Sequence, residues 1–203
     1  MFKILRSFVL ILIICATGFA QIPQNYSQLK SFQQTLSMVG VQFFSPKEFR
    51  EIKPLRYENI QVDYAMELQN GNFQVWYLAR SSQQEQAKIK VSEDDIRRLT
   101  VHPDSLYTMA AASTAVRLAG KDKDNYTYKI LPPDALSSFR ADNGVSYQLN
   151  LKDRPETNRY QYGLLVCLQK NGQGYVQMLF LSNENGPDFY KKVNKAYYSV
   201  RFN

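Results

Sequence analysis

Asp63, Glu67, Trp76 and Arg80 are the side chains whose types and spacing best suit ligand chemistry in this chain. Asp63 and Glu67 stand four residues apart, so in an extended strand both project from one face. On a hairpin turning at Asn70-Gly71, Trp76 falls opposite Ala65 and Arg80 lies near Asp63. A carboxylate pair beside an indole ring suits a sugar platform, and suitably spaced carboxyls would also serve glycoside hydrolysis. The same pattern describes an ordinary charge pair on a half-wet sheet face. The four are therefore assigned as ligand-binding candidates, with no catalytic residue.

His102 and Cys167 are the other candidates, as a base and a thiol nucleophile. His102 directly precedes Pro103 and leads into a helix, while Cys167 lies inside an apolar strand, where a free thiol behaves as a small hydrophobe. One histidine falls short of a zinc site, which takes three or four Cys, His or carboxylate ligands. Glu93-Asp94-Asp95 lacks the alternating carboxylates and glycine of a calcium loop and reads as a helix start. No Walker glycine loop, GxSxG elbow or dinucleotide fingerprint occurs. The chain is thus expected to use no cofactor and no metal, and the balance tips away from catalysis.

Residues 1–20 have the order of a secretory signal peptide: Lys3 and Arg6, then an apolar run over 8–16, then the small residues Gly18 and Ala20. The run is too short to span a bilayer, which takes about 20 apolar residues. A lipoprotein cysteine is preceded by a small residue; Ile14 precedes Cys15, so cleavage after Ala20 is expected instead. Residues 21–203 then form a single exported domain, periplasmic or extracellular. With Cys15 removed, Cys167 has no partner for a disulfide. Cleavage removes Lys3 and Arg6 from the 25 basic residues and none of the 18 acidic ones, so the formal +7 falls by two. The remaining excess is dispersed, without the dense basic stripe that nucleic acid would require. The expected partner is a protein or small molecule of the cell envelope.

Those side chains need a scaffold, and the pattern predicts an α+β fold, an antiparallel sheet built from hairpins and flanked by helices. Its centre is the hairpin over 160–181, apolar on both faces and so covered on both sides. A two-residue turn at Asn171-Gly172 pairs Leu168 with Tyr175, Val166 with Gln177 and Leu164 with Leu179. The first hairpin, over 60–80, pairs Leu68 with Phe73, Met66 with Val75 and Tyr64 with Tyr77, leaving its other face largely polar, so that this hairpin is expected nearer an edge of the sheet or with one side wet. Helices are expected over 25–40, 103–120, 134–140 and 187–197, and strands over 41–44, 88–91, 126–131, 145–151 and 199–202. The small side chains of Met109 to Ala115 let the second of these helices lie close over the central hairpin. Residues 47–55 read as a connector and 81–87 as a solvated loop. Tyr57, Tyr160, Tyr162, Tyr190, Tyr197 and Tyr198 are candidates for a binding rim, although antiparallel sheets favour tyrosine anyway.

The order of elements, with VDYAMELQNGNFQVWYLARS as the first hairpin, ADNG opening a meander and a final helix running into AYYSVRF, is similar to secreted bacterial proteins of unknown function. Their architecture resembles the Mog1/PsbP-like fold. That resemblance implies an accessory or partner-binding role and transfers no site residue. The expected function is a secreted, non-catalytic binding or accessory protein. The alternatives are a hydrolase acting on a cell-envelope or glycan substrate, and a carrier of an apolar ligand.

Overall fold

The computed structural model describes residues 28–54, 60–85, 103–151, 157 and 160–203. The predicted signal peptide with Cys15, the strand over 88–91, the Glu93-Asp94-Asp95 turn, Tyr57 and His102 lie outside the described residues.

The chain is α+β. Seven antiparallel strands form one sheet: β2 (Phe49–Ile52), β3 (Tyr64–Leu68), β4 (Phe73–Ser81), β8 (Gly174–Ser182), β7 (Tyr162–Lys170), β6 (Asn143–Asn150) and β5 (Tyr126–Ile130), in that spatial order. The β7–β8 hairpin is in the middle, as its two apolar faces require. A second, two-stranded sheet pairs β1 (Val41–Phe43) with β9 (Val200–Phe202) and so ties the two ends of the described chain together.

Each sheet face has its own core. One face is covered by α1 (Gln28–Met38), the β1–β9 pair, α3 (Pro133–Phe139) and α4 (Gly186–Ala196), whose Phe32, Leu36, Phe139, Phe189 and Val193 meet Leu164, Val166, Met178 and Phe180. The other face is covered by α2 (Leu106–Ala119). Ala111, Ala115, Leu118 and Ala119 bring that helix close to Leu165, Cys167 and Leu179. Thr114 donates its hydroxyl to Gln177 Oε1 at 3.0 Å, so the buried amide has a partner and the helix a fixed position along the sheet. Among the described residues no helix is long and apolar enough to cross a membrane.

The first hairpin has the expected register, with Tyr64 opposite Tyr77 and Met66 opposite Val75. The central hairpin is one residue out of the expected register: Lys170 pairs with Gly174, Leu168 with Val176, Val166 with Met178 and Leu164 with Phe180. Its loop is Asn171-Gly172-Gln173, closed by the Gln173 N–H donating to Lys170 O at 3.1 Å. The reason is packing. This register gathers Leu164, Val166, Leu168, Val176, Met178 and Phe180 on one face, whereas the two-residue turn would set Val166 against Gln177. Three further expectations are corrected. Residues 49–52, read as a connector, form edge strand β2; and the face of β4 read as wet is dry, because Trp76 and Leu78 belong to the core under α2. Ser81 and Ser82, read as a solvated loop, are buried at the end of β4 and in the helical turn after it.

Candidate functional site

Asp63 sits just before β3, and its Oδ2 accepts the Ala79 N–H at 2.7 Å and Arg80 Nη1 at 2.6 Å. Arg80 also donates Nη2 to Gln61 O at 3.0 Å, so its guanidinium is turned back onto the chain that holds it. The hollow beside this pair, with Thr35, Met38 and Gln84 at its walls, is shallow and meets a carboxylate and a guanidinium that already satisfy each other. Glu67 lies on β3 directly across from Arg50 of β2 and accepts its Nε and Nη2 at 2.9 and 2.6 Å. Trp76 is fully buried, its Nε1 donating to Gln74 Oε1 at 3.1 Å, so the ring has no open face for a sugar. The four residues therefore do not converge: Asp63 with Arg80 forms one ion pair, Glu67 with Arg50 another, and Trp76 is core.

Cys167 is likewise enclosed. Burial pushes its thiol up, away from the thiolate a nucleophile needs, and its Sγ lies 3.7 Å from the Tyr107 carbonyl as a weak donor. Among the described residues no group of three or more His, Cys, Asp or Glu side chains could hold a metal ion.

A different region has the shape of a site. Helix α4 buries Phe189, Val193 and Ala196 at helical spacing, yet its cover ends before the β5–β6 edge of the sheet. Beyond it, the strand face that is not under α2 carries Thr127 and Lys129 on β5 and Ser146, Gln148 and Asn150 on β6. The result is a trench between helix and sheet. Its floor is Tyr162, Leu164 and Val166 of β7, and its helical wall is Tyr190, Asn194 and Tyr197. Two lobes of about 300 and 330 Å³ meet where Gln148 Nε2 donates to the Tyr190 hydroxyl.

The lining is largely neutral. Amides and hydroxyls (Gln148, Asn150, Asn185, Thr127) alternate with rings (Tyr162, Phe189, Tyr190), and charge enters only at Asp124 in one lobe and Lys129 in the other. Such a surface can hydrogen-bond and stack, and it has no paired acid and base for proton transfer. Of the predicted rim tyrosines, Tyr162, Tyr190 and Tyr197 line the trench, Tyr198 is exposed against Phe139, and Tyr160 is buried. The trench is not legible in the sequence because four separate segments, β5, β6, β7 and α4, build it. Its one local signal is the polar set Ser146, Gln148 and Asn150 alternating with Val145, Tyr147 and Leu149.

Sheet, helices and trench together define an α+β protein with an open, largely neutral trench and no assembled catalytic constellation among the described residues. No family model and no curated protein matches the chain. Among solved structures it is similar to cyanobacterial PsbP (CyanoP) from Synechocystis sp. PCC 6803, with 12% identity, 81% of this chain and 88% of that chain covered, and a TM-score of 0.37. At that TM-score the similarity carries no argument about fold or site.

Proposed function

We propose that this is an exported, non-catalytic binding or accessory protein of the bacterial envelope, of the kind built on a Mog1/PsbP-like plan, and that its trench is where the partner binds. The observation that carries the reading is the trench itself: ring and amide side chains line an open surface, while the carboxylates that would serve hydrolysis are engaged by Arg50 and Arg80. The signal-like order of residues 1–20 supports export.

Native mass spectrometry of the protein, purified gently from its own envelope fraction, tests this. A co-purifying molecule that is retained by the parent chain and lost from a Tyr190→Ala, Gln148→Ala variant supports the reading. A bare chain that instead turns over envelope glycans, with turnover lost on Asp63→Asn or Glu67→Gln, overturns it in favour of the hydrolase. A co-purifying lipid indifferent to the trench variant would identify a carrier.

A further inference from the structure

The two edges of the large sheet are finished differently. Edge strand β2 carries Arg50 and Glu51, the first paired with Glu67 and the second accepting the Gln28 N–H at 3.0 Å from the start of α1. Edge strand β5 carries Tyr128, 47% exposed, and Ile130, which at 70% is the most exposed of the large apolar side chains among the described residues. A charged edge resists pairing with another chain, whereas an apolar edge with free backbone groups invites it.

The backbone of β5 has such groups. The Leu131 N–H donates to Gly144 O at 3.0 Å, and the register runs from Tyr126 opposite Leu149 to Ile130 opposite Val145. In an antiparallel pair the bonded residues alternate, so Thr127 and Lys129 bond to β6 while the N–H and C=O of Tyr128 and Ile130 point outward. Among the described residues no backbone bond reaches them. Tyr126 gives its N–H to Lys123 O and keeps an outward carbonyl.

We propose that β5 is the interface of a two-fold homodimer, in which Tyr128 pairs with Tyr128 of a second copy across the symmetry axis. The sequence Tyr-Thr-Tyr-Lys-Ile is self-complementary in this register. Tyr126 then lies opposite Ile130 of the second copy on one face, and Thr127 opposite Lys129 on the other. The Tyr128 N–H donates to the Tyr128 carbonyl of the other copy in both directions, and the Ile130 N–H to the free Tyr126 carbonyl. Pairing about Lys129 instead would set two ammonium groups face to face, which is destabilising. The axis is perpendicular to the sheet, so both trenches open on the same side and the Thr127 and Lys129 walls adjoin. A wider, symmetric binding surface results.

The test uses the full chain carried through its own processing, in three forms: parent, Tyr128→Cys and Ile130→Lys, with Lys47→Cys as an exposed cysteine far from β5. Light scattering should give a dimer for the parent and a monomer for Ile130→Lys, whose circular dichroism stays that of the parent. Mild oxidation should convert most of Tyr128→Cys, and little of Lys47→Cys, into a covalent dimer on a non-reducing gel. A parent that stays monomeric at high micromolar concentration overturns the proposal, as does a dimer that survives Ile130→Lys. A monomer leaves the binding role of the trench untouched, so the two readings fail separately.

Discussion

Asp63 and Glu67 look alike in the sequence and are held differently. The Asp63–Arg80 pair is mostly buried, with side-chain exposures of 13% and 16%, and Asp63 also accepts a backbone N–H. Removing that carboxylate strands a guanidinium and an amide in a dry setting. Asp63→Ala should therefore cost about 2 to 3 kcal/mol, the scale of hydrogen bonds to charged groups. Glu67 pairs with an Arg50 that is 64% exposed, so Glu67→Ala should cost less than about 1 kcal/mol. Urea unfolding of both variants checks the contrast, and equal losses would count against the stated geometry. Asp142 gives a pH signature. The Lys170 ammonium, which donates to it, is the main influence holding its carboxyl below the ordinary 3.8; the Asn171 N–H adds to this, and partial burial opposes it. A depressed folded pKa makes the unfolded chain the better proton binder. The stabilisation is complete above 3.8 and is lost as pH falls through the folded value. Asp142→Asn should thus be less stable than the parent at neutral pH, with the gap closing as pH falls below 3.8 and through the folded value. A gap that stays constant or widens would rule out this role.

At the level of elements, what was legible depended on how many glycines each turn uses. The first turn runs over Gln69 to Asn72, closed by the Gly71 N–H donating to Leu68 O at 2.7 Å, and it keeps the register expected of a turn centred on Asn70-Gly71. The central turn carries Gly172, and Gly174 opens β8 directly after it, both at positive φ (72° and 146°); Gln173 between them is the extra loop residue that shifts the register. A Cβ on Gly174 would lie 2.2 Å from the Arg80 carbonyl oxygen and 2.9 Å from Ser81 Cα, where β8 passes β4. Gly174→Ala should therefore cost about 2 to 4 kcal/mol, adding overpacking against backbone to conformational strain. Gly172 meets nothing within 4 Å, and Gly172→Ala should lose only the roughly 1 to 2 kcal/mol of a left-handed residue. Thermal melts of the two variants would reveal a wrong register if the order were reversed. Other elements were less readable for local reasons. Phe49–Ile52 has charges at its two central positions and is one strand wide of the core, so its pattern looks like a connector. Gln74 is a polar side chain on the face of β4 shared with Trp76, and it is nonetheless buried, as the acceptor for the Trp76 Nε1–H. The trench depends on where α4 stops covering the sheet, which no single segment encodes.

For the whole molecule, the central hairpin makes two cores into one folding unit. Leu164, Val166, Met178 and Phe180 serve the core beneath α1, α3 and α4, and Leu165, Cys167 and Leu179 the core beneath α2, with adjacent residues of the same two strands contributing to both. Neither core can lose its sheet face without removing the other's, so a stable half-folded form would have to expose a fully apolar strand face. The hydrophobic cost of that exposure, at about 25 cal/mol per Å² of apolar surface, rapidly becomes comparable to a domain's whole stability of about 5 to 15 kcal/mol. Trp76, the only tryptophan of the chain, reports on the α2 side, while α1 and the β1–β9 pair lie on the other. Its fluorescence and far-ultraviolet circular dichroism should therefore trace one coincident transition in urea. Replacing Leu165 by Asp should abolish both signals together, because an unpaired buried charge at the strand that bridges the cores disrupts both at once. Two separated transitions in the parent chain would mean that the faces fold independently and that the hairpin does not couple them.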